Sequence, residues 1–193
     1  MRRLTSVFRL IPLWLAFSVG PLAMATAQAP TTPPPPSTNP APAPADVASI
    51  DAIIAALYDV ISGPAGQTRN WDRMRSLFIP NARLIPTSKA QDGTIRHRVM
   101  SVDDYITQVG PNLERNGFFE REIGRKTDTF GNVTHAFSAY DSKRTAQDPQ
   151  PFARGINSIQ LLNDGKRWWI VTVYWDSERP DNQIPAKYLE KSP

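Results

Sequence analysis

The stretch Arg154–Glu178, RGINSIQLLNDGKRWWIVTVYWDSE, decides how the rest of the chain is read. Its middle, NDGK, places Asn163, Asp164 and Gly165 where a hairpin turn needs residues that tolerate positive φ. The flanks therefore predict two antiparallel strands, FARGINSIQLL and RWWIVTVYW. Strict alternation puts Trp168, Ile170, Thr172 and Tyr174 on one face of the second strand, and Trp169, Val171, Val173 and Trp175 on the other. A half-exposed antiparallel strand alternates apolar with polar side chains, so both faces of this one are expected to be covered. Burying each large side chain contributes about 1.5–3 kcal/mol, and leaving them wet would expose an apolar patch. Helices can cover one face. A second copy of the chain, pairing through the sheet as a homodimer, is the expected cover for the other. The alternative is a C-terminal tail carrying Ile184, Tyr188 and Leu189 that folds back over it.

The period of two continues upstream. FFEREIGRKTDTF and NVTHAFSAYDSKR read as strands around Gly131-Asn132, and TAQDPQP as a loop. Before Phe118 the period is helical. Asp46 or Ser49 can cap a helix whose stripe is Val47, Ile50, Ile53, Ile54, Leu57 and Ile61, ended by Gly63-Pro64. Asn70 caps a short helix with Trp71, Met74, Leu77 and Phe78, stopped by Pro80. ARLI (82–85) reads as a short strand, and 86–100 as a loop or small hairpin turning at Asp92-Gly93. Ser101 with Asp104 forms a capping-box pattern that opens a third helix through Val102, Tyr105, Ile106 and Val109, with Gly110-Pro111 weakening its end. Helices first and an antiparallel meander second predict an α+β domain with helices on one face of the sheet.

The N-terminus has a different character. Arg2, Arg3 and Arg9 precede an apolar run from Leu10 to Met24, and small residues follow through Ala27. This is the layout of a secretory signal peptide over 1–27, which predicts a periplasmic or secreted bacterial protein without a membrane span after cleavage. Residues 28–45 contain eight prolines in eighteen positions and read as a disordered, extended linker. The folded domain is then 46–193. The formal charge of +4 drops to about +1 without the three leading arginines, and no basic stripe with interleaved aromatics is present. No nucleic-acid partner is expected. The absence of cysteine excludes disulfides, thiolate metal sites and cysteine nucleophiles.

The amphipathic first helix, NWDRMRSLFIPNARLI as second helix plus strand, and the closing GKRWWIV strand together resemble the nuclear transport factor 2-like superfamily, also called SnoaL-like or ketosteroid-isomerase-like. The resemblance spans about 46–178. It implies a cone: about three N-terminal helices packed on a curved antiparallel sheet, in the order helix-helix-strand-helix and then a four-strand meander. It also implies a conical pocket between helices and sheet, and often dimerisation through the sheet. The superfamily holds isomerases, dehydratases, cyclases, transport adaptors and ligand-binding domains, so no reaction follows from it.

The residues leave the chemistry open. An isomerase-like site needs a carboxylate base and an oxyanion partner such as a tyrosine. Tyr58, Tyr105, Tyr140 and Tyr174 are available, as are Asp72, Asp103, Asp104, Glu120 and Glu122. Glu120 and Glu122 share a strand face. That face is either a solvated or salt-bridged edge, or it turns Glu122 into the cone as a buried carboxylate of raised pKa, the general-base candidate. His135 sits mid-strand, either as a hydrogen-bonded sheet histidine or as a pocket acid/base, with Tyr140 as an electrophilic partner. His97, between two arginines, reads as solvated. The expected ligand-binding set is Trp71, Tyr105, Arg154, Asn157, Tyr174 and Trp175. If Leu162 lies opposite Arg167, Asn157 shares a face with Thr172 and Tyr174, and Arg154 and Gln160 share one with Trp169 and Trp175. A one-residue bulge reverses this. Arg154 could clamp an acidic ligand or pair with Glu120 or Glu122, and Gly155 marks a bulge or a close backbone approach. The two histidines lie in separate segments without HxH or HExxH spacing, so no metal is expected. No GxSxG elbow or Gly-rich phosphate loop occurs, and no cofactor is expected. Three readings follow: a binder of a small apolar or amphipathic molecule, an isomerase, dehydratase or hydrolase using Glu122 or His135 with a tyrosine, and a dimerisation or adaptor module presenting the proline-rich arm.

Overall fold

The structure, a computed structural model, describes residues 39–190. The signal-peptide reading and most of the proline-rich segment lie outside the described residues. The last part of that segment is packed rather than free. Asn39 Nδ2 donates to the Phe78 carbonyl (2.7 Å), and Pro44–Val47 forms a 3-10 turn that buries Val47.

Four short helices follow from local signals. α1 (Ile50–Ile61) is capped by Ser49, whose side chain accepts from the Ala52 N–H, and it buries Ile53, Ile54, Leu57 and Ile61. α2 (Trp71–Leu77) is capped by Asn70 in the same way. α3 (Val102–Gln108) has the full Ser101–Asp104 capping box. The break expected at Gly110-Pro111 is only a change of axis, because the chain resumes as α4 (Gly110–Asn116). Pro111 falls in the first turn, where no backbone donor is needed. Gly110 is required by packing, since a Cβ there would lie 2.9 Å from the Trp71 ring.

The sheet has six strands: β1 (Phe78–Lys89), β2 (Ile95–His97), β3 (Phe119–Phe130), β4 (Val133–Lys143), β5 (Ala153–Asn163) and β6 (Trp168–Ser177). Their spatial order is β2-β1-β6-β5-β4-β3, with β1 and β6 parallel and every other pair antiparallel. β1 is longer than the sequence suggests. Asn81 takes φ 64, and the register to β6 shifts between Phe78 and Arg83. Pro80 therefore sits in an irregular interval where its missing N–H interrupts no ladder.

The two-sided appearance of β6 has a simple cause. Gln160 pairs with Thr172, but Leu161 pairs with Ile170, leaving Val171 as an extra residue. This bulge inverts the alternation half-way along the strand. Trp168, Ile170, Val173 and Trp175 consequently share the helix-facing side, and Trp169, Thr172 and Tyr174 the other. Asn157 pairs with Trp175 and stands on the helix-facing side, not beside Thr172 and Tyr174 as unbroken alternation predicts. The core lies between this side and the helices, built from Ile53, Ile54, Leu57, Met74, Leu77, Phe78, Met100, Ile159, Leu161 and Ile170.

The outer side of the sheet is partly covered by the chain itself. Trp169 lies under the Arg167 guanidinium, 3.5 Å from the ring centroid, and its Nε1 donates to Asp164 (2.7 Å). The tail after β6 turns back across the sheet. Tyr188 packs on Phe137 with centroids 5.1 Å apart, and the Arg125 N–H donates to the Glu190 carbonyl (3.2 Å). Gly124 makes this crossing possible, since a Cβ there would lie 2.3 Å from the Tyr188 carbonyl. The tail thus occupies part of the surface through which a second copy was expected to pair.

Arg69, in the connection between α1 and α2, is buried. Its guanidinium donates to the carbonyls of Ile61 (3.2 Å), Gly63 (2.6 Å), Pro64 (3.3 Å), Gln67 (2.6 Å) and Leu113 (3.3 Å). One side chain therefore closes the C-terminal end of α1 and ties the following loop to α4.

Candidate functional site

A cavity of about 320 Å³ lies between the helices and the inner side of the sheet. Its lining is mostly apolar and aromatic, including Leu57, Ile61 and Tyr58 from α1, Tyr105 from α3, Val109 at the end of that helix, Phe118, Tyr140, Phe152 and Trp175. Tyr105 and Trp175 meet edge to face at 6.4 Å. β4 contributes Tyr140 and Ser142 to the lining, and Thr134, Ala136 and Ser138 are buried along the same strand. Gly155 on β5, opposite Tyr140, is fixed by packing. Its missing Cβ would lie 2.5 Å from the Tyr140 hydroxyl, so the glycine marks a close approach and not a bulge.

Glu120 is the polar centre of this wall. Its carboxylate accepts from Ser142 Oγ (2.8 Å) and Asn157 Nδ2 (3.4 Å). Burial pushes its pKa up to about 7, the Asp141 charge adds to that, and the Ser142 and Asn157 hydrogen bonds oppose it. Three tyrosines feel the same charge. Tyr58, Tyr105 and Tyr140 all have raised pKa values, first through burial and then in part through Glu120, with Tyr140 reaching about 12. Tyr58 is committed elsewhere. Ser138 Oγ donates to Glu122 (2.6 Å), so the Tyr58 hydroxyl must donate to Ser138 (2.7 Å) while accepting from Asn157 (3.1 Å). Tyr105 makes no hydrogen bond through its hydroxyl among the described residues and remains able to offer one.

A second, more open concavity of about 1100 Å³ runs between α1 and β3. Asp51, Asp59, Glu122, Arg125 and Lys143 line it, so it is far more charged than the cone. Glu120 borders both spaces.

The residues proposed from sequence divide between these places. Tyr105, Tyr140, Asn157 and Trp175 line the cone. Glu122 lines the charged groove, within 3.7 Å of Arg125 Nε. Trp71 packs against Gly110 and donates from Nε1 to Glu114 (3.0 Å), outside the cone lining. Three residues lie on the far side of the sheet. His135 is hydrogen-bonded to Ser158 (2.9 Å) and meets Phe137 edge to face. Arg154 pairs with Glu178 (3.0 Å), not with Glu120 or Glu122. Tyr174, 47% exposed, borders a gap of about 390 Å³ beneath the tail. Sequence reasoning favoured Glu122 over Glu120 and assigned no role to Ser142. The signal was present in NVTHAFSAYDSK, whose alternate residues are small or hydroxylated on the face that meets Glu120. Among the described residues no group of three or more potential ligands could hold a metal ion.

These features can now be set beside known proteins. No family model matches the chain, and no curated protein does. Solved structures do. A protein of unknown function with a cystatin-like fold from Nostoc punctiforme is 10% identical, covering 68% of this chain and 90% of its own, with a TM-score of 0.51. An uncharacterised protein of cystatin-like fold from Caulobacter vibrioides is 14% identical, covering 69% and 90%, with a TM-score of 0.50. An NTF-2 like protein of unknown function from Silicibacter pomeroyi is 13% identical over 68% and 94%, with a TM-score of 0.46. The domain has the NTF2-like fold. In this NTF2-like domain the helices and the curved, unclosed sheet enclose the cone in which Glu120 lies. Identities this low speak for the fold alone.

Proposed function

We propose that the NTF2-like cone takes up a small molecule with an apolar body and one hydrogen-bonding group, held at Glu120. The observation that carries this is a cavity of about 320 Å³ walled by aromatic and aliphatic side chains with polar groups converging at one place. The edge-to-face pair Tyr105 and Trp175 would form one wall for the apolar body, and Glu120, Ser142 and Tyr105 would address the polar group. A cone filled by its own side chains would have favoured a pure dimerisation module. N-phenyl-1-naphthylamine fluorescence tests the reading: the dye is expected to brighten on mixing with the protein. Val173→Phe, which places a larger ring in the cone, is expected to abolish the signal while circular dichroism stays unchanged. Absence of brightening, or brightening unaffected by Val173→Phe, would place binding elsewhere.

A second reading has one specific support. Glu120, with a pKa near 7 and an available Tyr105 hydroxyl close by, is equipped to move a proton to or from carbon beside a carbonyl. Deuterium exchange at C1 of 2-tetralone, followed by NMR, is expected to be accelerated by the protein and lost in Glu120→Gln if this reading holds.

The sequence of 1–27 supports export, and the proline-rich segment supports a spacer that holds the domain off an envelope surface. Pairing of two copies through the sheet would require the tail to yield its place or share it. Sedimentation of the full chain and of a chain ending at Ser177 tests this, with the shorter chain expected to pair more strongly.

A further inference from the structure

Within the cone the distribution of charge is lopsided. Glu120 is an inward-facing carboxylate, and its hydrogen-bond partners, Ser142 and Asn157, are neutral. The acids Asp141 and Glu122 stand on neighbouring positions of the same sheet, and each is already engaged. Asp141 takes Arg121 in two hydrogen bonds of 2.9 Å, and Glu122 takes Ser138 and Arg125. Among the described residues the cone lining contains one cation, Arg98. Arg98 is exposed, and its charge acts on Asp104 rather than on Glu120. Around Glu120 stand the rings of Tyr58, Tyr105 and Tyr140, with Phe118, Phe152 and Trp175 completing the wall.

A carboxylate without a cationic partner, set among aromatic side chains, is complementary to a positive charge on an apolar body. The carboxylate supplies a charge-assisted hydrogen bond and the ring faces a cation–π attraction, both strengthened where water is excluded. An anion would meet Glu120 unfavourably, and a neutral polar group would gain only an ordinary hydrogen bond. We propose that the cone selects hydrophobic amines: ligands with an aromatic or alicyclic body that fits about 320 Å³ and a protonated amine that pairs with Glu120. This rests on the reading of the cone as a binding site and narrows it to one ligand class. The protonation of Glu120 itself agrees, since an ammonium ion nearby would draw its pKa down from about 7 and hold it ionised at neutral pH.

The test uses three probes of one shape at pH 8: naphthalen-1-ylmethanamine, naphthalen-1-ylmethanol and 1-naphthoate, titrated calorimetrically into the full chain. The amine is expected to bind about tenfold more tightly than the alcohol, and the carboxylate most weakly. Glu120→Gln is expected to erase the gap between amine and alcohol. Should that variant not fold, the ratio of amine to alcohol in the unaltered chain, and its loss when competing salt is held constant but the amine is replaced by its acetamide, decides the matter. Equal binding of amine and alcohol overturns the amine preference and leaves the cone as a binding site. Failure of all three probes to bind overturns the binding reading itself, and the amine preference with it. A preference for amine that persists in Glu120→Gln overturns the role given to Glu120.

Discussion

Glu120 ties the site to the stability of the domain. Its carboxyl has an ordinary value of 4.5 and is raised to about 7 in the fold. Between those values the folded protein holds a proton that the unfolded chain has released, so stability falls as the pH rises through that window. Below it both states are protonated and the residue contributes nothing; above it the penalty is complete, at most on the order of 3 kcal/mol. The carboxyls of Asp46 and Asp176, held down first by hydrogen bonds from Arg73 and Arg179, are lowered from 3.8 and lie outside this window. Urea unfolding at pH 5 and pH 8 should show the wild-type protein weaker at pH 8, with the difference largely gone in Glu120→Gln. An unchanged difference in the variant would remove Glu120 as its cause. The sequence showed that Glu120 and Glu122 share a face. It could not show which one meets the cone, because that depends on how far the β3 edge runs past α1. Ser62 Oγ settles it by accepting the Glu120 N–H (3.0 Å), which pins Glu120 where α1 ends.

Single turns and bulges account for most of what the elements add. The helix caps Ser49, Asn70 and Ser101 were legible because capping chemistry is local. The bulge at Val171 was not, because the extra residue fits the apolar pattern as well as its neighbours do and only the partner strand reveals it. The same holds for Arg69, whose acceptors come from segments far apart in sequence. Arg69→Met keeps the aliphatic stem but strands five carbonyls, and is expected to cost at least about 3 kcal/mol. Thermal melting should fall by about 6–12 °C; a shift within error would mean that water satisfies those carbonyls. The tail crossing is equally specific. Gly124→Val puts methyl groups where the Tyr188 and Leu189 backbone lies, so the tail is expected to detach at a cost of about 1–3 kcal/mol. Limited proteolysis should then cleave within 179–190 in the variant and spare the parent, and equal resistance would mean that the tail is held by other contacts.

For the whole molecule, the order of elements in the sequence was enough to indicate a helix-backed curved sheet, and the NTF2-like fold agrees. The parallel β1–β6 pairing was not legible, since parallel neighbours far apart in the chain leave no local pattern, whereas the β1–β2 hairpin was one of the two readings of 86–100 through its Asp92-Gly93 turn. The covering of β6 was anticipated for a partly mistaken reason: half of its large side chains face inward through the bulge, and the outer ones are met by Arg167 and the tail. What remains after this packing is a cone that is aromatic and acidic at one point, and both readings of the cone, binding and proton transfer, pass through that point. A carbon-detected NMR titration of the Glu120 carboxyl in the full chain reads it. A midpoint near 7 that moves down when naphthalen-1-ylmethanamine is added is the expected result. A midpoint near 4.5, unmoved by the amine, would mean that Glu120 is bathed in water and that no such cone exists.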